Sequence, residues 1–95
     1  MARRKTKTGR RRVRFEIAAG PGHRVFVAGT FNGWDPEATP LKDRDGTGRY
    51  TRAVLLEPGR YEYKFVVDGV WCVDPECPRW VANDLGTLNS VIEIS

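Results

Sequence analysis

Eight alternating residues, Tyr61 to Asp68 in the run YEYKFVVDGVW, commit this chain to a β-strand with one apolar core face. Tyr61, Tyr63, Phe65 and Val67 share one side of such a strand; Glu62, Lys64, Val66 and Asp68 share the other. The Asp68-Gly69 pair then closes the strand in a tight turn and delivers Trp71 just beyond it, where an indole can stand exposed. A lysine and a tryptophan brought together at a strand end suit a surface site better than a core.

The remaining chain reads the same way. Val13, Phe15 and Ile17 alternate with Arg14 and Glu16 as a first strand. Gly20-Pro21-Gly22 turns it, and Arg24 to Ala28 forms a short strand ending at Gly29. A loop from Thr30 to Pro40 holds a flexible Asn32-Gly33 pair, and Leu41-Lys42-Asp43 forms a brief strand before the Asp45-Gly46 turn. Arg49 to Leu56 is the next strand, and Pro58-Gly59 is expected to fold it back on the Tyr61 strand as an antiparallel hairpin. Pro75 and Pro78 exclude central sheet pairing around them, and Leu88 to Ile94 closes the domain. No helical period occurs. With 95 residues, ten glycines and six prolines, the expectation is one all-β domain, an antiparallel two-sheet sandwich of about six or seven strands.

The formal charge of +4 is concentrated at one end. Residues 1–14 carry eight Lys/Arg and no acid, which leaves the other 81 residues at −4. Residues 1–12 therefore read as a basic, disordered tail and residues 13–95 as the folded domain. The tail lacks the interleaved apolar residues of a transit helix, and no run resembles a secretory leader. The longest aliphatic stretch, Ala53 to Leu56, is far too short to cross a bilayer, so a soluble cytoplasmic protein is expected. Cys72 and Cys77 cannot close a zinc site alone, and two free thiols around Asp74-Pro75 are expected. No cofactor or metal is called for.

Catalysis needs a base, a nucleophile or paired carboxylates converging in a cleft. Asp35, Asp43, Asp45, Asp68, Asp74 and Asp84 instead sit beside turn residues, where an aspartate bonds its own nearby backbone. There is no phosphate-cradling glycine loop and no nucleophile elbow, so the chain reads as non-enzymatic. A binding surface fits better. Sugars present apolar C–H faces ringed by hydroxyls, and gripping them takes flat aromatic rings with polar groups at the edges. Trp34 and Trp71 each follow a turn; Lys64 supplies donors, and Asn89 supplies a donor and an acceptor.

The runs VFVAGTFNGWD (25–35), DGTG (45–48), PGRYEYKFVVDGVW (58–71), Asp74-Pro75 and NDLGTLN (83–89) together resemble the family-48 carbohydrate-binding module. That family comprises the early-set, immunoglobulin-like sandwich of isoamylases and glycogen branching enzymes and the glycogen-binding domain of the AMP-activated protein kinase β subunit. The resemblance spans residues 13–95 and keeps the motifs in order. It implies non-catalytic binding of an α-1,4-glucan such as glycogen or starch, stacked between Trp34 and Trp71. It further implies contacts from Lys64 of the YKF motif and from Leu85, Thr87 and Asn89 of LGTLN. Ser90 departs from the kinase branch, which has a second asparagine there, and Trp80 is extra to its pattern: either another sugar platform or a packing residue beside Pro78.

Two other roles stay open at this level. The same exposed aromatics could dock a glucan-processing enzyme or kinase without binding sugar. The basic tail could contact nucleic acid, whose binding would weaken steeply with salt. A free-standing small protein is expected from Met1 and the length, with no membrane partner.

Overall fold

A computed structural model of the chain describes residues 9–95, and within them eight strands and one 3-10 turn form an antiparallel sandwich. The strands are β1 (Arg11–Ala18), β2 (Val25–Gly29), β3 (Pro40–Leu41), β4 (Arg49–Leu56), β5 (Gly59–Val67), β6 (Val70–Cys72), β7 (Trp80–Ala82) and β8 (Leu88–Ile94). The tail expected over residues 1–12 lies, for residues 1–8, outside the described residues. β1 begins at Arg11, where Arg11 and Arg12 pair with Leu56 and Leu55. Its ladder thus starts two residues before the alternation that Val13 opens.

One layer is the β1–β4 pair; the other runs β3-β2-β5-β8-β7, with β6 also on β5. Between them lie Val13, Phe15 and Ile17 from β1, Tyr50 and Leu56 from β4, and Val25, Val27, Tyr63 and Phe65 from β2 and β5. Phe15 meets Tyr63 edge-on across the layers, with ring centroids 4.9 Å apart, and stacks on Phe31 at 5.4 Å. Such contacts add to area burial because the ring quadrupoles match edge to face. Phe31 lies in the Thr30–Asn32 3-10 turn, so the core fixes the loop that carries Trp34.

The β4–β5 hairpin is not formed. β4 pairs with β1, β5 pairs with β2, β8 and β6, and the two strands belong to opposite layers. Both carry their apolar faces toward one core, so the chain arches from one sheet to the other at Glu57-Pro58. Proline withholds a ladder donor there, and Gly59 takes a φ of 154° that other residues avoid. The turn at Asp68-Gly69 is a hairpin: both residues have positive φ, 50° and 82°, as a type I′ turn requires. The strand expected over residues 41–43 is shorter, ending at Leu41 with a single bridge from Lys42 to Thr51. β6 and β7 have three residues each, too few for alternation to reveal.

β5 changes neighbour along one edge. β8 pairs with Gly59 to Tyr63, β6 with Phe65 to Val67, and Lys64 stands at the handover. Cys72 and Cys77 are free thiols. Among the described residues no helix is long and apolar enough to cross a membrane, and no three metal-ligating side chains cluster.

Candidate functional site

With Tyr63 and Phe65 in the core, the pleat sends Glu62 and Lys64 out of the opposite face of β5. Antiparallel register places Trp71 across from Val66, on the same outer face. Val66 is buried there although it alternates with polar neighbours, and Trp71 remains 42% exposed. Two loops rise around this patch, one from β2 and one between β7 and β8. Together they enclose a shallow groove of about 710 Å³. Trp34, Lys64, Trp71, Leu85, Thr87 and Asn89 all line it. All six sequence candidates come together on one face.

The tryptophan loop is held tightly. Asn32 accepts from Gly29 N at 2.9 Å and donates through Nδ2 to the Val27 carbonyl and to Thr39 Oγ1, each at 3.0 Å. The Asn-Gly pair expected to be flexible is therefore a clamp, because the asparagine amide is spent on two backbone groups and the Thr39 hydroxyl. Trp34 N donates to the Gly29 carbonyl at 2.9 Å, and Trp34 itself has a φ of 60°. A bulky residue in the left-handed region costs about 1 kcal/mol or more, so the indole is set where it is by its surroundings. Trp34 is half-buried.

Asn83 organises the opposite wall. Its Oδ1 accepts from Leu85 N at 2.9 Å and Thr87 N at 3.1 Å, the pattern of an Asx turn. Its Nδ2 donates to Thr87 Oγ1 at 2.7 Å and to Asn89 Oδ1 at 2.9 Å. Leu85 is left at the loop tip, 88% exposed, the most exposed large apolar side chain described. An isolated exposed leucine is ordinary, but one beside an exposed tryptophan at a groove rim is a ready apolar contact.

A polar chain crosses the groove floor. Lys64 Nζ donates to Thr87 Oγ1 at 2.8 Å, and Asn89 Nδ2 donates to Glu62 Oε1 at 3.0 Å. Arg60 Nη1 donates to the other Glu62 oxygen, also at 3.0 Å. Asn89 is buried and has one donor and one acceptor engaged within the protein. A carboxamide has two of each, so one N–H and one lone pair remain for a ligand. Lys64 likewise keeps two ammonium hydrogens.

Glu62, Asn83, Asp84 and Thr30 also line the groove and were not among the sequence candidates. Glu62 could have been found, since the period of two puts it beside Lys64. Asn83 could have been suspected from NDLG, an Asx-turn signal. Thr30 carried no signal. Trp80 is not at the groove. Its partner Ser90 faces the side of the sheet opposite Asn89, and its indole is 58% exposed there, so the extra-platform reading finds no place at this site. Ser90 is buried instead, and its Oγ accepts from Asp74 N at 3.0 Å. The neighbouring Tyr63 phenol, pushed up by burial and by its 2.7 Å bond to Asp74, stays protonated as a structural donor.

Residues 12–95 match the family model described as the glycogen recognition site of AMP-activated protein kinase. The chain is 36% identical over 73 residues to 5′-AMP-activated protein kinase subunit beta-2 of Mus musculus, covering 77% of the chain and 26% of that protein. It is 35% identical over 75 residues to subunit beta-1 of Sus scrofa, covering 79% of the chain and 57% of that sequence. It is also 34% identical over 84 residues to Protein FLOURY ENDOSPERM 6, chloroplastic, of Oryza sativa subsp. japonica, covering 88% of the chain and 15% of that protein. The beta-2 and rice alignments each span about a quarter or less of the relative's length.

Proposed function

The chain belongs to the family of the AMP-activated protein kinase glycogen recognition site, and from that premise we propose that its groove holds an α-1,4-glucan without acting on it. Trp34 and Trp71 offer two indole faces for stacking, Leu85 an apolar cap, and Lys64, Thr87 and Asn89 hydrogen bonds to hydroxyls. The observation that carries this reading is the meeting of all six side chains around one groove, from three separate segments of sequence.

Each indole stack contributes about 0.5–1.5 kcal/mol by analogy with aromatic pairs. Each edge hydrogen bond adds about 1 kcal/mol after lost hydration. Less the cost of association, the dissociation constant falls between about millimolar and tens of micromolar. A groove walled by two loops suits a curved α-glucan; a flat cellulose chain would want a row of coplanar rings. Of the two carboxylates that line the groove, Glu62 is engaged by Arg60 and Asn89, which suits a binding role better than a chemical one. A cytoplasmic setting, where glycogen is found, accords with this role.

A second reading has the same rim dock a partner protein, a kinase or glucan-processing enzyme, through Leu85 and Trp71. Their exposure favours it. Titration with maltoheptaose and β-cyclodextrin, followed by tryptophan fluorescence with cellohexaose as control, separates the two. A saturable change with the α-glucans alone supports sugar binding; silence at millimolar ligand leaves only the docking reading.

A further inference from the structure

A second concave surface lies on the other layer. Val13, Phe15 and Ile17 face the core, so Arg12 and Arg14 project from the outer side of β1, away from the glucan groove. At the β4 edge, Arg12, Arg14, Lys42 and Arg44 line a groove of about 550 Å³ with Thr51, Pro40 and Ala53 and no carboxylate, and Arg52, opposite Phe15 on the other face of the pair, lines it as well. Residues 9–95 hold twelve Lys/Arg and twelve Asp/Glu, a neutral balance. Five of the twelve cations are gathered in this one hollow. Evenly mixed surface charge would not produce that.

The nearest acids in sequence are turned to other work. Asp43, between Lys42 and Arg44, accepts from Thr47 N at 3.1 Å and Gly48 N at 2.7 Å. Glu16 takes Arg49 and, at 3.3 Å, Arg14. Arg52 donates to the Pro40 carbonyl at 3.1 Å, which holds its guanidinium against the groove wall. Among the described residues Arg12, Lys42 and Arg44 make no side-chain ion pair. Residues 1–8, outside the described residues, carry Arg3, Arg4, Lys5 and Lys7 and no acid. The hollow therefore has unspent positive charge.

We propose that this groove binds the phosphate backbone of a nucleic-acid duplex, independently of base sequence and of the glucan site. Guanidinium forks match phosphate oxygens, and repeated anions on one polymer would engage several of the five cations at once. No aromatic ring lines the hollow, so it lacks the stacking platforms that hold unpaired bases. Its concavity admits a ridge of phosphates and does not conform to a flat bilayer. It offers no apolar pocket for the side chains of an acidic peptide.

The test is fluorescence anisotropy of the full chain with two labelled DNA duplexes of about 20 bp and unrelated sequence, across a salt series. Equal affinity for both is expected, with log affinity falling against log salt at a slope of about −4.5 for five phosphate contacts. The Lys42→Gln/Arg44→Gln variant should lose about tenfold in affinity and show a slope shallower by roughly two. Both substitutions are at exposed positions, and thermal unfolding of the variant checks its fold. A milder Arg44→Gln variant serves if the double one unfolds, with a slope shallower by roughly one. Chain lacking residues 1–8 should still bind, and still respond to these substitutions. Absence of duplex binding at low salt overturns the proposal, as does a variant that binds like the parent. Capture by phosphatidylserine vesicles without duplex binding would assign the groove to membranes instead and equally overturn it.

Discussion

Asn89 and Glu62 are joined by a 3.0 Å hydrogen bond that ties β8 to β5 beneath the groove proposed to hold glucan. The asparagine is buried, so its amide depends on that carboxylate. Replacing Glu62 with Ala should cost about 1–3 kcal/mol by leaving a buried donor unpaired, whereas Glu62→Gln should restore most of it. Urea unfolding of the two variants measures the difference. Equal stabilities would mean that water replaces the carboxylate freely.

Trp34→Ala and Trp71→Ala should each weaken maltoheptaose binding by at least about tenfold if stacking supplies the affinity. Trp80→Ala should leave it unchanged, because that indole projects from the other side of the sheet. Calorimetric titration of the three variants reads this directly; a loss at Trp80 equal to that at Trp71 would redraw the site. Trp71→Ala should also uncover Val66 and lower stability by about 1 kcal/mol.

Asn83 touches the proposed ligand less than it shapes its wall. Asn83→Ala removes four hydrogen bonds from the 83–89 segment and should free the loop. Hydrogen exchange at Leu85 and Thr87 should accelerate, and glucan affinity should fall several-fold with little change in the core. Asn83→Asp keeps the acceptor for both backbone N–H groups and should keep the loop, though not the bonds to Thr87 and Asn89. Unaltered exchange in the alanine variant would count against the clamp.

Gly29 is needed for room. A Cβ on it would lie 2.5 Å from the Glu62 carbonyl oxygen and 2.9 Å from Tyr63 Cβ. Neither backbone oxygen nor Cβ can swing aside, so Gly29→Ala must part β2 from β5 and should cost about 3 kcal/mol or more. Chemical denaturation would show it, together with weakened glucan binding through displacement of the Trp34 loop.

The Asp68 carboxyl is held below its ordinary range by the Arg24 N–H, which it accepts at 2.8 Å, and by His23, whose Nδ1 is 2.5 Å away. A depressed folded-state pKa favours folding above the unfolded value of about 3.9 and ceases to do so as pH falls through the folded value. Thermal unfolding between about pH 6 and 2 should therefore show a shallower acid decline for Asp68→Ala than for the parent. Parallel curves would remove Asp68 from the acid response.

The sandwich could be read from periodicity because β1 and β5 are long enough for alternation to show. Their pairing could not. Glu57-Pro58-Gly59 reads locally as a hairpin turn, and only the need of both β4 and β5 to face one core sends them to opposite layers. The groove residues announced themselves through motif resemblance and through Trp and Lys at turn and strand positions. Glu62 and Asn83 were overlooked because a strand glutamate and a loop asparagine look the same in sequence whether solvated or partnered. The basic groove was hidden for a related reason: Arg12, Lys42 and Arg52 lie in three separate segments, and only the β1–β4 pairing and the Lys42–Thr51 bridge bring those segments together.

At Lys64 one edge of β5 passes from β8 to β6. The floor beneath the groove is thus set by backbone pairing, while its walls are set by the Asn32 and Asn83 side chains. Removing both indoles would strip the groove of its stacking faces but leave the strand pairing beneath it. Ligand choice and fold are thus largely separable: the socket can be emptied or refitted by a few substitutions, while the sheets beneath continue to fold as before.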